Sequence, residues 1–262
     1  MSLRVIEWSD FLTGPANTQS AMTIGVFDGL HLGHRALIER IVSRGPNPTV
    51  VTFSENPKKV VSPESFEGDL FSLRQKLAIF EQLGVCRVIL IDFSEKFSKL
   101  SGKEFLDLLE DRGKMAFLAI GSNFRCGFRQ DTGVDFIREM NERKGIPTEV
   151  IPPVTTPAEY GNGLVSSSRI RAAIIAGSLR QAAVLIGRNL ELDLSDIEPA
   201  REERDGSEGL VYDLCSVRRI VPAPGQYPVR VYPGGISGRA ITGNGKVFLY
   251  RTIGPVENIE FI

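Results

Sequence analysis

The chain has 262 residues, and its 31 Lys and Arg nearly balance 32 Asp and Glu, for a formal net charge of −1. That balance excludes a global basic field able to hold nucleic acid non-specifically, and no apolar run reaches the ~18 residues of a membrane span. Hydrophobic residues make up 42% and charged residues 24%, which provides for a sizeable core, excludes disorder and leaves room for a large domain with a smaller one. The N-terminal stretch MSLRVIEWSDF carries Arg4, Glu7 and Asp10 where a secretory signal needs apolar residues, so a cytoplasmic protein is expected. TIGVF (Thr23 to Phe27) then reads as a buried strand, followed by a helix from about Gly33 to Ser43 and a strand from Pro48 to Phe53. Ser72 and Gln75 form a capping box opening a helix that stops at Gly84, and Cys86 to Ile91 is the next strand. Ser101 and Glu104 repeat that grammar for a helix ending at Gly113. Met115 to Ile120 is a fourth strand, VDFIREMNERKG a helix closing at Gly145, and Thr148 to Ile151 a short fifth strand.

Strands alternating with helices predict βαβ units and a parallel sheet covered on both faces, a Rossmann-like α/β fold. SSSRIRAAIIAG and SLRQAAVLIG follow as two short helices, each opened by Ser and closed by Gly177 or Gly187. The grammar then changes. Glu202, Glu203, Asp205 and Glu208 read as a solvated linker, and from Leu210 short β-type runs (VYDLCSV, YPVRVY, KVFLY, ENIEFI) alternate with Pro/Gly/Asn turns. A small all-β domain over residues 187–262 is expected, after a larger one over residues 1–186. Cys86, Cys126 and Cys215 are far apart with no CxxC spacing, which argues against a disulfide framework and a structural zinc site.

The chain holds only two histidines, His31 and His34, both in GVFDGLHLGH just after the first predicted strand. Gly25 and Gly29 allow a tight turn and close approach of backbone to a ligand. His31, Gly33 and His34 fall where the following helix begins. Unpaired N–H groups and partial positive charge make such a start an anion site, and two imidazoles add hydrogen bonds for phosphate oxygens. In an open α/β sheet, ligands bind at the carboxyl ends of the strands, where this loop sits.

The HxGH motif identifies the chain as a member of the HxGH nucleotidyltransferase superfamily, and the form GVFDGLHLGH resembles the prokaryotic riboflavin kinase/FAD synthetases. Further segments resemble that family's adenylyltransferase module in the same order: VVTFSENP (Val50 to Pro57), FSLRQKLAIFEQLGV with Lys76, GSNFRCG (Gly121 to Gly127) and VSSSRIR (Val165 to Arg171). The resemblance covers roughly residues 1–187. Three departures fall within it. Glu55-Asn56-Pro57 stands where the family has Pro-His-Pro, Cys126 replaces the second Phe of its NFxFG loop, and Ser168 replaces a Thr while keeping the hydroxyl. The C-terminal part departs further: the family's kinase module is a longer β-barrel with a Pro-Thr-Ala-Asn motif, which this chain lacks. A shortened barrel without riboflavin kinase activity is expected.

The resemblance implies transfer of AMP from ATP to FMN, giving FAD and pyrophosphate, with Mg²⁺ on the phosphates and no protein ligand set visible for it. It implies that His31 and His34 bind the ATP phosphates, and that Ser167, Ser168 and Arg171 hold the β- and γ-phosphates. It further implies nucleotide contacts from Gly25, Phe27, Asp28, Gly29, Gly33 and Asn123, and a flavin region at Asn56, Pro57, Phe124 and Cys126. Plain alternatives stand beside these roles. Arg171 is otherwise a solvated helix residue, Ser167 and Ser168 are N-caps in either case, Asn123 otherwise stabilises a turn, and Asp28 otherwise fixes its loop through backbone hydrogen bonds. Phe66, Phe71 and Phe80 read as core or cleft wall. The competing functions are the full bifunctional enzyme, a non-catalytic flavin- or nucleotide-binding protein, and adenylyl or cytidylyl transfer to another phosphate. The partners expected are small molecules, with neither nucleic acid nor membrane among them.

Overall fold

The structure, a computed structural model, describes residues 2–262 except 17, 161, 205, 253 and 255. The described chain forms two compact units. The first comprises the residues up to Phe27, Gly33–Ser65 and Lys76–Val154; the second comprises Asp28–Leu32, Phe66–Gln75 and Thr155–Ile262.

The first unit is built on β1 (Arg4–Glu7), β2 (Ser20–Ile24), β3 (Thr49–Phe53), β4 (Arg87–Ile91), β5 (Met115–Gly121) and β8 (Thr148–Ile151), with β6 (Arg125–Cys126) and β7 (Thr132–Gly133) forming a separate small ladder. Between them run α1 (Trp8–Thr13), α2 (Leu32–Arg44), α3 (Lys58–Val61), α4 (Leu73–Gln82), α5 (Glu95–Ser98), α6 (Gly102–Gly113) and α7 (Val134–Arg143). The main sheet has the order β1-β4-β3-β2-β5-β8, and every pairing in it is parallel. Strands β2, β3 and β4 are buried along nearly their whole length because helices cover both faces. Trp8 anchors one face, stacked on Phe11 at 5.2 Å and meeting Phe97 edge-on at 5.5 Å.

The second unit contains α8 (Ser167–Ile175), α9 (Leu179–Ile186) and the strands β9 (Glu191–Asp193), β10 (Ala200–Arg204), β11 (Ser207–Asp213), β12 (Gly225–Tyr232), β13 (Ile236–Gly243), β14 (Lys246–Tyr250) and β15 (Asn258–Phe261). They form an antiparallel sheet of order β10-β11-β14-β13-β12-β15-β9. The α/β architecture with a smaller all-β part is therefore as the sequence reads.

Three local readings need correction. The strand expected from Thr23 to Phe27 is Ser20–Ile24, and Phe27, past its end, takes a left-handed φ of 53° that no strand residue adopts. The acidic stretch is a strand: Ala200–Arg204 pairs with β11, with Glu203 opposite Glu208, while Asp205 lies outside the described residues. Its side chains are mostly exposed, which is why no buried pattern marks it. β13 escapes notice because ISGRAITG offers little apolar alternation, yet it pairs with both β12 and β14.

Candidate functional site

In the first unit, the chain leaves β2 with the Gly25 N–H bonded to the Val51 carbonyl at 3.1 Å. Phe27 is then fully buried; its ring meets that of Phe80 edge-on at 5.7 Å and that of His34 at 5.2 Å and 65°. Phe80 is thus core, as expected, and Phe27 is a packing residue that braces an imidazole. Gly33 and His34 lie in the first turn of α2, which carries no acidic residue there. The partial positive charge of the helix start is therefore not neutralised locally.

Asn123 is exposed and Phe124 half-buried beyond the end of β5. Both line an open cavity of about 620 Å³, together with Arg125, Asp135, Phe136 and Arg138. Arg125 belongs to the GSNFRCG segment, whereas Asp135, Phe136 and Arg138 lie on α7, where no motif marks them. Cys126 is not in the cavity lining; it packs against the apolar core. Burial pushes its thiol up to about 12, which keeps it protonated and unreactive at neutral pH. Asn56 is buried, and its Oδ1 accepts the Lys58 N–H at 3.1 Å in a local turn, with Pro57 at the N-cap of α3.

The second unit gathers another group of the expected residues. The Asp28 carboxylate accepts the Leu70 N–H at 2.9 Å and forms an ion pair with the Arg171 guanidinium. Arg171 also donates Nε–H to the Gly68 carbonyl at 3.0 Å, and Ser167 Oγ–H donates to the Asp28 carbonyl at 2.8 Å. Asp28 and Arg171 are only 6% and 5% exposed, so the solvated reading of Arg171 does not hold. Asp28 fixes its loop to Leu70 through its carboxylate and to α8 through both its carboxylate and its backbone carbonyl. Gly29 has φ 78°, and a Cβ there would come within 2.7 Å of Leu70 Cδ1, so a side chain at this position is strained. The N-cap of α8 is Ser166, whose side chain accepts the Arg169 N–H at 3.3 Å; Ser167 and Ser168 are the first two residues of the helix, and the N-cap reading of them is corrected accordingly. His31 is 7% exposed. Its pKa falls to about 4 because burial disfavours the charged ring, a backbone hydrogen bond opposing only in part.

Residues 14–169, more than half of the chain, match the FAD synthetase family. The chain belongs to the FAD synthetase family. Its relatives include a bifunctional riboflavin kinase/FMN adenylyltransferase of Pseudomonas fluorescens, 30% identical over 90% of this chain and 78% of that protein. One of the same description from Buchnera aphidicola is 27% identical over 66% of this chain and 55% of that protein, so the chain spans about half the length of that relative. A solved chain described as a macrolide-efflux protein from Streptococcus pneumoniae has the same fold, with TM-score 0.75 at 22% identity over 100% of this chain and 89% of that one.

FAD synthetase is a nucleotidyltransferase family, and anionic phosphates are what such a site has to hold. Among the described residues no three His, Cys, Asp or Glu side chains gather to hold a metal ion. Among the described residues no helix is long and apolar enough to cross a membrane.

Proposed function

We propose that this chain transfers the AMP of ATP to the phosphate of FMN, giving FAD and pyrophosphate, and that it lacks riboflavin kinase activity. The observation that carries the reading is the bonding of Asp28, from GVFDGLHLGH, to Ser167 and Arg171, from SSSRIR. Two segments 139 residues apart in sequence, each suited to phosphate, are tied together. In this reading residues 1–186 carry the transfer chemistry and residues 187–262 are a kinase-type β module without Pro-Thr-Ala-Asn.

An FMN phosphate oxygen attacks the α-phosphorus of ATP, and the bond from that phosphorus to the bridging oxygen of pyrophosphate breaks. The nucleophile is already ionised, so the protein needs to align the two phosphates and stabilise charge rather than supply a strong base. His31 is neutral at pH 7, so its ring carries a single N–H, which passes from its backbone bond to a phosphate oxygen when the nucleotide binds. His34 and the start of α2, with Gly33, take a second phosphate. Arg171 spends Nε–H on Gly68 and one Nη2–H on Asp28. The remaining three of a guanidinium's five donors bind the departing pyrophosphate, with Ser167 and Ser168 beside them. Gly25, Gly29, Phe27 and Asp28 shape the turn, Asn123 contacts the nucleotide, and Asn56, Pro57, Phe124 and Cys126 border the flavin. Mg²⁺ accompanies ATP as a substrate complex, and the ATP requirement goes with a cytoplasmic location.

The test uses ATP labelled at the α- or γ-phosphate, incubated with FMN, Mg²⁺ and the full chain. Label from the α-position should enter FAD and label from the γ-position should leave as pyrophosphate, with His31→Ala abolishing both. Absence of α-label from any flavin product would refute the reaction, and unimpaired transfer by His31→Ala would refute the site.

A further inference from the structure

We infer that the β module serves this same reaction as a buttress, with Arg218 as a positioning residue that sets Arg171 through the segment Phe66–Leu70. The inference rests on the reading above. Phe66–Leu70 runs as a strap between two sets of partners, all in the second unit. On one side, the Asp69 N–H donates to the Arg218 carbonyl at 2.9 Å and the Ile220 N–H donates to the Asp69 carbonyl at 3.1 Å. The Arg218 side chain donates Nη2–H to the Phe66 carbonyl at 3.1 Å and lies 4.7 Å from the centre of the Phe66 ring. On the other side, the Gly68 carbonyl receives Arg171 Nε–H and the Leu70 N–H binds the Asp28 carboxylate. The strap thus joins the turn after β11 to the ion pair that orients the phosphate-binding arginine.

Two backbone features show that the contact is close and specific. At Gly68, φ is +125°, and a Cβ would lie 3.0 Å from the Arg218 carbonyl oxygen and 3.1 Å from the Ile220 nitrogen, so a side chain here is strained in its backbone and crowded by the facing segment. Arg218 itself holds a left-handed φ of 50°, a region that a long side chain enters only against a conformational penalty. The Phe66 stack and the carbonyl bond hold it there. A glycine at position 218 removes the grip on Phe66 while relieving the backbone, which separates positioning from stability.

The experiment measures equilibrium binding of ATP alone and of FMN alone to the full chain, with the unfolding midpoint in parallel, for wild type, Arg218→Gly and Arg218→Lys. Arg218→Gly should weaken ATP about tenfold while FMN binding changes less than about twofold and the midpoint does not fall. Arg218→Lys, which keeps a cation over the ring and one donor, should recover part of the ATP affinity. Wild-type ATP affinity in Arg218→Gly would overturn the inference, as would equal weakening of both ligands with a lower midpoint. A wild-type chain that binds ATP and yields no FAD would overturn the proposed reaction, with the Arg218 result still deciding this inference. A wild-type chain that binds no ATP would overturn both.

Discussion

Burial drives the His31 imidazole from its ordinary value of 6.5 down to about 4, so the folded protein holds it neutral at neutral pH. The unfolded chain takes up a proton near pH 6.5, whereas the folded one resists until about 4. Below 6.5 the unfolded state binds more protons, so stability is full above that pH and declines as pH falls towards 4. At 1.36 kcal/mol per unit this single group accounts for about 3 kcal/mol across the window. Urea unfolding of wild type between pH 7.5 and 4.5 should show that decline, and His31→Gln should show a flatter one. Equal slopes in the two proteins would mean His31 is not held neutral by burial. Asp28 makes a second residue-scale case. Removing one member of a buried ion pair leaves an uncompensated charge, so Asp28→Ala should cost about 3–5 kcal/mol in urea unfolding. A loss below about 1 kcal/mol would place the Arg171 charge in water and dissolve the proposed clamp.

At the scale of elements, α4 is tied down where it begins. Ser72 caps it by accepting the Gln75 N–H at 3.1 Å, Gln75 returns the bond to the Ser72 N–H at 3.0 Å, and Ser72 Oγ–H donates to Asp193 at 2.5 Å. Arg74 binds both Asp193 oxygens. Burial works to raise the Asp193 pKa, but the bonds from Arg74, Ser72 and Ser195 outweigh it and hold the carboxyl well below the ordinary carboxylate range. A carboxyl depressed in this way adds stability above its ordinary value near 4 and loses it as pH falls further. Asp193→Asn should therefore lower the unfolding free energy at pH 7 and show a smaller further loss below pH 4 than wild type. A variant as stable as wild type at pH 7 would show that Arg74 and Ser72 do not depend on the charge. The capping boxes of Ser72–Gln75 and Ser101–Glu104 were legible because each is a Ser followed three residues later by Gln or Glu, and both are present. The strand Ala200–Arg204 was not: edge strands with exposed side chains carry charge where a buried strand carries apolar residues. The same holds for β1, whose residues are exposed at three of four positions.

For the whole molecule, the alternation of strands and helices made the parallel sheet readable, and the two histidines three residues apart drew attention to the start of α2, where the phosphate site is proposed. The strap could not be read. Phe66–Leu70 has no periodicity, and its partners Asp28, Arg171 and Arg218 are brought to it by long-range folding alone. Nor could sequence show that Arg171 is buried against Asp28, since an Arg on a short helix is ordinarily a solvated one. The measurement closest to the centre of this account is chromatography of the products formed by the full chain from ATP and Mg²⁺ with either FMN or riboflavin. The account predicts FAD from FMN and no phosphorylated flavin from riboflavin. FMN or FAD formed from riboflavin would reveal a kinase site built without Pro-Thr-Ala-Asn, and no FAD from FMN would contradict the central claim outright.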